Sequence, residues 1–548
     1  MGENNKVNSF SASQRSRFLN RLKNEVFDLI IVGGGITGAG VARDACQRGL
    51  KVALLEMNDF ASGTSSRSSK LIHGGIRYLE NMEFHLVFEA LSERTKLFEM
   101  TPHLVHPLRF MIPLYESSRV GMFKMGLGMW LYDALALFQA PEMHENLNAT
   151  ETIERMSILN QQELKGSFVY SDAYMDDDRL VHETLRSAVS EGACCLNYIK
   201  ADTATYDSEN KINGLYVVDQ FSQERIHIQG SHIVSSVGPW TDMTAPGLVP
   251  DWKKILRPTK GIHLTFRKDR LPLSSAVVMA AEKSNRIVFA IPRHEMVIVG
   301  TTDTDYSGDP AQAQVTSEDV TYLLQISNQY FPGARLKPED IVSSYVGVRP
   351  LVKDDSQDEG KTSREHTIIS DPRGLTFVAG GKYTTYRLMS QQIVDAALKY
   401  FSFEKKALLQ KAKTDQPLNA WTDPETYQNS ILTANSDLER KLAERYGSEA
   451  KLILNKYGFT ANYWQIEAYQ AIHQTMCYNL TDFYARRVPL MLSEVDHGLQ
   501  HLDDIAAVFE VELGLSTEQI NQQKQNLNSY INRELAWRKS LIGADLKG

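Results

Sequence analysis

The feature that most constrains this chain is a run of thirty residues, 27–56. An apolar segment, FDLIIV, leads into Gly33-Gly34-Gly35-Ile36-Thr37-Gly38, a helical stretch to Arg48 and a second apolar segment, KVALLE. Strand, glycine turn, helix and strand in this order make the βαβ unit that binds dinucleotides. Gly33 permits the tight turn, Gly35 lets the backbone approach a pyrophosphate, and Gly38 lets the helix pack closely on the strand. The helix N-terminus then offers free N–H groups and partial positive charge to phosphate. Glu56 stands 18 residues beyond Gly38 at the end of the second strand, where a carboxylate can accept both hydroxyls of an adenosine ribose. With strand, helix and acid all in place, a glycine turn made for packing alone is the weaker reading. The unit by itself does not separate FAD from NAD.

A length of 548 residues allows two or three domains and a large core. A formal net charge of -8 argues against general nucleic-acid binding, which needs a basic footprint. Cys46, Cys194, Cys195 and Cys477 form no CxxC pair, so neither a zinc site nor a disulfide framework is indicated and a reducing compartment fits. Residues 1–26 lack the apolar core of a secretory signal. Arg15, Arg17, Arg21 and Lys23 alternate there with Phe18, Leu19, Leu22 and Val26. That pattern predicts a short basic amphipathic helix, more readily an ordinary surface helix than one touching a membrane.

After Glu56 comes a small-residue turn, SGTSSRSSK, and then LIHGGIRYLE. Joined to the glycine unit, SSRSSKLIHGGIRYLE resembles the signature of the FAD-dependent glycerol-3-phosphate dehydrogenases, the respiratory branch of the D-amino-acid-oxidase-like flavoproteins. The resemblance runs from about residue 27 to 387 and more weakly to the C-terminus. It implies that the serine segment wraps the flavin, placing Ser65, Ser66, Ser69, Lys70 and Leu71 at the cofactor, and that Arg77 and Tyr78 reach the substrate pocket.

Residues 119–139, RVGMFKMGLGMWLYDALALFQ, are apolar on most sides but contain Lys124, Asp133 and three glycines, which disfavours a membrane-crossing helix. A buried helix and an interfacial one both fit. In the interfacial reading Met122, Met125, Met129 and Trp130 enter lipid while Arg119 and Lys124 meet anionic head groups. The resemblance, whose family carries a docking segment here, tips the choice to the membrane. Asp176-Asp177-Asp178 are consecutive and lack a histidine cluster, so a helix N-terminus is expected rather than a metal site.

Ser236-Val237-Gly238-Pro239-Trp240 stands where the family more often has Ala-Thr-Gly-Pro-Trp. Gly238 keeps the close backbone approach to the cofactor, while Ser and Val put side-chain contacts in doubt. Alternating segments between residues 257 and 308 predict an antiparallel sheet forming one wall of a substrate pocket, with His263 on its first strand. Alone, a strand histidine is more often structural; its match to the family position reverses that. Arg349, Arg364 and Lys382, taken with Arg77, suit a small dianion, because guanidinium forks pair with phosphate and an ammonium adds a point charge. Gly380-Gly381-Lys382-Tyr383-Thr384 also opens a helix whose N-terminus suits the negative charge of a reduced flavin, with Gly381, Lys382 and Thr384 at the cofactor.

The expected fold is α/β: a basic N-terminal segment over 1–26, then a discontinuous Rossmann-like, D-amino-acid-oxidase-like FAD-binding region over 27–400. An antiparallel substrate sheet is inserted at roughly 256–340, and a helical C-terminal domain covers 403–548. The resemblance implies oxidation of sn-glycerol 3-phosphate to dihydroxyacetone phosphate, hydride passing from C2 to flavin N5. Arg349, Arg364 and Lys382 would hold the phosphate, with Arg77 and Tyr78 closing on the glycerol part. His263 is the first choice of base, and Arg349 the other candidate for directing proton removal. It also implies membrane quinone as acceptor and a peripheral place on the cytoplasmic face of an inner membrane; a homodimer is left open. Rival readings are an oxidase that passes electrons to oxygen, a related flavoprotein acting on an amine or 2-hydroxy acid, and a flavin-binding membrane-recruitment protein without turnover.

Overall fold

The computed structural model describes residues 10–80, 82–281, 286–353, 366–458 and 460–543. At its centre a six-stranded sheet runs in the order His366–Asp371, Leu375–Gly380, Ile233–Ser235, Leu29–Val32, Val52–Leu55, Cys194–Leu196. All neighbours are parallel except the first pair. Leu29–Val32 and Val52–Leu55 are buried at every position, the signature of strands covered on both faces. The helices Ile36–Gln47, Asp177–Ser190 and Tyr386–Leu398 pack together against this sheet. Gly40 allows the approach, since an added Cβ would lie 2.2 Å from Ser390 Oγ.

Between Cys194–Leu196 and Ile233–Ser235, which both enter the central sheet, the strands do not. Ile199–Tyr206 and Ile212–Asp219 pair with Arg225–Gly230 and Val26–Phe27 in a separate four-stranded sheet. Their mixed buried and exposed positions suit a one-sided meander, whereas Ile233–Ser235, buried throughout, enters the parallel sheet. The N-terminal helix Arg15–Asn24 packs Phe18 and Leu22 into the core. Arg15 donates to Asp219 at 2.5 Å, Arg21 to the Gly192 carbonyl at 3.0 Å and Lys23 to Glu224 at 2.7 Å. These three basic side chains are thus tied to the protein, as in an ordinary surface helix.

A ten-stranded sheet forms the second layer. It is not confined to residues 256–340: Leu71–Ile72, Val105–Tyr115 and Leu164–Met175 belong to it, joined to the later strands where Ala276 pairs with Phe110. Side chains alternate strictly across it. Ile262, Leu264, Val277, Val288 and Val299 face a core shared with the C-terminal helices. Phe110, Tyr170, Val278, Phe289 and Tyr345 face the other way, toward Met129 and Tyr132.

Met129 and Tyr132 lie on the helix Met122–Leu135. The sequence reading of this helix needs correction: Met129 is 0% exposed, and Met122 and Met125 are partly buried against the sheet. Its outer face is instead Phe123 at 84% exposure, Leu127, Trp130 at 59% and Leu131, continued by Leu137 and Phe138. Positions 123, 127, 130 and 131 share one helical face and 122, 125 and 129 the other. Arg119 pairs with Glu80 at 2.7 Å. Among the described residues no helix is long and apolar enough to cross a membrane, and no group of three or more His, Cys, Asp or Glu is arranged to hold a metal ion.

From Phe403 onward the described chain is helical. Ser516 and Gln519 make a complete capping box, while Ser436 caps the N–H of Glu439 without reciprocation because Glu439 turns to the Asn435 N–H. The domain is bolted to the glycine unit by Asp59, which accepts from Arg486 at 2.7 Å and from Arg487 at 2.8 and 2.9 Å. Removing one member of such a buried pair costs about 3–5 kcal/mol.

Candidate active site

The parallel strands end at a cleft, where open α/β sheets bind ligands. Gly33 sits at φ +108°, and a Cβ there would lie 2.6 Å from the Ser236 carbonyl oxygen; one on Gly38 would lie 1.9 Å from that of Gly33. Gly35 lines the cleft at the start of the helix Ile36–Gln47, and Ser65 Oγ accepts the Ile36 N–H at 3.0 Å. Each oxygen of Glu56 accepts one backbone N–H at 2.8 Å, from Gly34 and from Asn58. Burial raises this carboxyl above its ordinary range, opposed by those two N–H groups. A lone pair on each oxygen remains for a ribose hydroxyl. Ser236 has a role of its own: its hydroxyl lies 3.1 Å from the Val32 and 3.3 Å from the Gly33 carbonyl, fastening the turn.

A cavity of about 890 Å³ runs from this cleft to the ten-stranded sheet, large even among cofactor sites. Ser65, Ser68, Ser69 and Leu71 line it, as do Gly238, Gly381 and Thr384. Ser66 and Lys70 do not. Lys70 is buried and its ammonium is held by Asp177 and, at 3.3 Å, by the Ser66 carbonyl. These two residues fix the loop from behind the cavity wall. Asp177 also accepts from Ser68 Oγ at 2.7 Å. The aspartate run does begin a helix, Asp177–Ser190, but Asp176 spends its carboxylate on Arg293 at 2.5 Å and on Arg179 and His294 at 3.1 Å each.

At the sheet end of the cavity stand Tyr78, Lys382 and Arg349. The Lys382 ammonium lies 3.8 Å from the centroid of the Tyr78 ring, a cation–π contact. Arg349 ends the strand Ile341–Arg349 and donates to Asp303 and to Thr301 Oγ1, both at 2.8 Å, which fixes the plane of its guanidinium. Asp303 also offsets part of its charge. Arg364 lies outside the described residues, and so does the side chain of Arg77, whose backbone belongs to the short helix Ile76–Leu79.

His263 is displaced from its expected place. At 2% exposure it lies behind the cavity wall, stacked 4.6 Å from Tyr345, with Nε2 2.9 Å from Ser69 Oγ. Gly300 on the adjoining strand leaves room for the ring, since a Cβ there would come 2.2 Å from His263 Cδ2. Burial first, then Arg349 and Lys70, hold its pKa well below the ordinary histidine range.

Sequence reasoning left His73, Arg286 and the aromatic wall of Phe110, Tyr170 and Phe289 unassigned, and all five line the cavity. His73 stood in the quoted LIHGGIRY run and Phe289 lies on a strand expected between residues 257 and 308, whereas Phe110 and Tyr170 lie on Val105–Tyr115 and Leu164–Met175, for which no strand was expected. Thr384 holds the His73 peptide, accepting its N–H at 3.2 Å and approaching its carbonyl at 3.3 Å.

A glycine-lined dinucleotide cleft continuous with a cation-bearing pocket on an antiparallel sheet defines a flavin-dependent oxidoreductase. The sequence pattern of FAD dependent oxidoreductases matches residues 28–387, and that of the C-terminal domain of alpha-glycerophosphate oxidase matches residues 428–520. The chain belongs to this oxidoreductase family, on the branch of the aerobic glycerol-3-phosphate dehydrogenases. It is 36% identical to the enzyme of that name from Staphylococcus saprophyticus over 526 residues, 92% of this chain and 94% of the relative. It is 34% identical to that of Staphylococcus aureus over 543 residues, 95% and 97% of the two. The glycerol-3-phosphate dehydrogenase of Bacillus halodurans complexed with FAD superposes with a TM-score of 0.77 at 29% identity, covering 96% of this chain and 98% of that one. The L-alpha-glycerophosphate oxidase of Mycoplasma pneumoniae shares the fold, with a TM-score of 0.56 at 19% identity over 72% of this chain and 98% of that one. The protein is an enzyme and FAD is its cofactor, which fits the cradle that Gly33, Gly35 and Glu56 provide.

Proposed function

We propose that the protein oxidises sn-glycerol 3-phosphate to dihydroxyacetone phosphate and passes the electrons to membrane quinone. The observation that carries this reading is the placement of Arg349 and Lys382 in the same cavity as the dinucleotide cleft. Arg349 offers a fork and Lys382 a point charge to the phosphate dianion, and Tyr78 confines the glycerol part. Arg77 and Arg364 belong to the same proposal on family resemblance. Anchoring the non-reacting phosphate presents the C2–H bond in one orientation, replacing a bimolecular encounter. FAD, when bound, supplies at N5 the acceptor for the hydride and its two electrons.

Ser69 faces the cavity and receives the C2 hydroxyl proton as its own passes to His263 Nε2, while the C2–O bond becomes the carbonyl. The depressed pKa keeps His263 neutral and able to accept. Arg349 is the other group that can direct this step, by lowering the pKa of the substrate hydroxyl. The exposed row Phe123, Leu127, Trp130 and Leu131 supports peripheral attachment to a membrane, on its cytoplasmic side in this reading.

The test is anaerobic mixing of the oxidised holoenzyme with glycerol 3-phosphate, and with glycerol as control, while flavin absorption is followed. Bleaching by the phosphate ester and not by glycerol is expected, followed by faster reoxidation with a quinone analogue than with oxygen. A flavin that stays oxidised with both compounds overturns the substrate, and oxygen as the faster acceptor overturns the quinone.

A further inference from the structure

The serine-rich loop has two sides. Thr64, Ser65, Ser68 and Ser69 face the cavity, whereas Arg67 points away from it toward the C-terminal domain. There its guanidinium pairs with Glu534 Oε1 at 2.9 Å and donates to Tyr530 Oη at 2.5 Å. Tyr530 and Glu534 are four residues apart near the end of the helix Thr517–Glu534 and therefore share one face of it. The contact is well shielded: the side chains of Arg67 and Glu534 are 14% and 5% exposed.

The same helix end is also fastened to the strand Ile341–Arg349. The Glu534 carbonyl accepts from Ser344 Oγ at 2.5 Å, and Trp537 Nε1 donates to that hydroxyl at 2.9 Å. The loop meets this strand as well, since Thr64 Oγ1 donates to the Val348 carbonyl at 2.7 Å and Tyr345 Oη to the Ser68 carbonyl at 2.9 Å. At Gly347 an added Cβ would stand 2.5 Å from the Arg67 carbonyl oxygen. One helix end thus holds, through separate contacts, both the loop that covers the dinucleotide cleft and the strand that ends at Arg349.

We infer that Glu534 and Tyr530 are positioning residues for FAD: by clamping Arg67 they hold the loop so that Ser65 meets the first N–H of the glycine-turn helix and Ser69 faces the reacting end of the cavity. Neither residue touches the cavity. A guanidinium held on two sides has little freedom, and the loop it anchors is preorganised rather than ordered by the cofactor. Because the proposal concerns the cofactor loop, it rests on the FAD assignment and not on the identity of the substrate.

The experiment compares wild type with Tyr530→Phe, Glu534→Gln, Arg67→Lys and the Tyr530→Phe/Glu534→Gln double variant. It reads FAD dissociation by flavin fluorescence, the absorption spectrum of the bound flavin, and hydrogen exchange of residues 62–70. The single variants are expected to weaken FAD binding about 10-fold, the worth of one charge-assisted hydrogen bond. The double variant should lose less than the product of the two, because both act through one guanidinium, and loop exchange should rise with each loss. Tyr530→Phe removes one hydroxyl and keeps the ring, so its folding is the safest of the set. Variants that melt earlier yet keep wild-type FAD affinity, spectrum and loop exchange would reduce the contact to packing and overturn the inference. A wild type that fails to oxidise glycerol phosphate leaves these FAD readouts unaffected.

Discussion

Arg349 shows how one side chain can both border a binding cavity and be fixed in orientation. Asp303 and Thr301 hold its guanidinium at 2.8 Å each, and the group still borders the cavity. Arg349→Ala should raise the concentration of glycerol phosphate needed for half-maximal flavin reduction by roughly 10- to 100-fold, as loss of a charged hydrogen-bond donor does. FAD retention should stay near wild type; equal loss of both would move the residue into the architecture. The residue scale is also where reading the sequence worked best and failed most instructively. Gly33, Gly35, Gly38 and Glu56 follow from spacing within one βαβ unit, so local order sufficed. Ser66, Lys70 and His263 depend on which neighbours the folded chain brings up. Lys70 finds Asp177 on a distant helix, and His263 slides behind Ser69 because Tyr345 and Gly300 on adjoining strands make a slot for it. No local pattern carries that information.

Among the elements, the helix Met122–Leu135 reads in the sequence as apolar on most sides, and residue type alone assigns its lipid-facing positions. Methionine was given to the outside, yet Met129 packs inside and Phe123 outside. The 3.6-residue period, counted from the buried Tyr132, would have separated them. The double variant Phe123→Glu/Trp130→Glu should lower partitioning onto anionic vesicles by at least about 100-fold, since each large apolar side chain contributes about 1.5–3 kcal/mol on leaving water. Turnover with a soluble dye should be unchanged, and sedimentation with vesicles at the wild-type level would remove the helix from the docking surface. The strands tell a similar story. Their alternation was visible in the sequence, but the pairing of Ala276 with Phe110, which carries the sheet across to the earlier strands, was not.

The whole molecule carries a charge balance that sets its acid tolerance. Burial holds His103, His182 and His263 well below the ordinary histidine range and His106 and His232 at about 4. The unfolded chain takes up these protons near pH 6.5 and the folded chain does not. Stability is therefore full above 6.5 and falls as pH drops below it, by up to about 1.4 kcal/mol per pH unit for each such group. Asp482 opposes this: burial beside Asp59 raises its carboxyl, so the folded state binds that proton first. With His497 also lowered by burial there are six such imidazoles against four carboxyls that burial raises, Asp44, Glu56, Asp178 and Asp482, and the balance predicts a melting temperature that declines between pH 6.5 and 5. His182→Gln should flatten the slope by about one proton's worth. A melting temperature that is level across this interval would contradict the shifts.

The strand order of the central sheet also has a history in time. Leu29–Val32 is made before every other strand of this sheet, yet one of its neighbours is Ile233–Ser235, whose own outer partner is Leu375–Gly380. At about 5–20 residues per second, a ribosome takes roughly 20 to 70 s to lengthen the chain from one to the last of these. Throughout that interval the earliest and most apolar strand has no finished sheet to enter. The cofactor's turn is therefore synthesised well before the strands that make it a place where anything can bind.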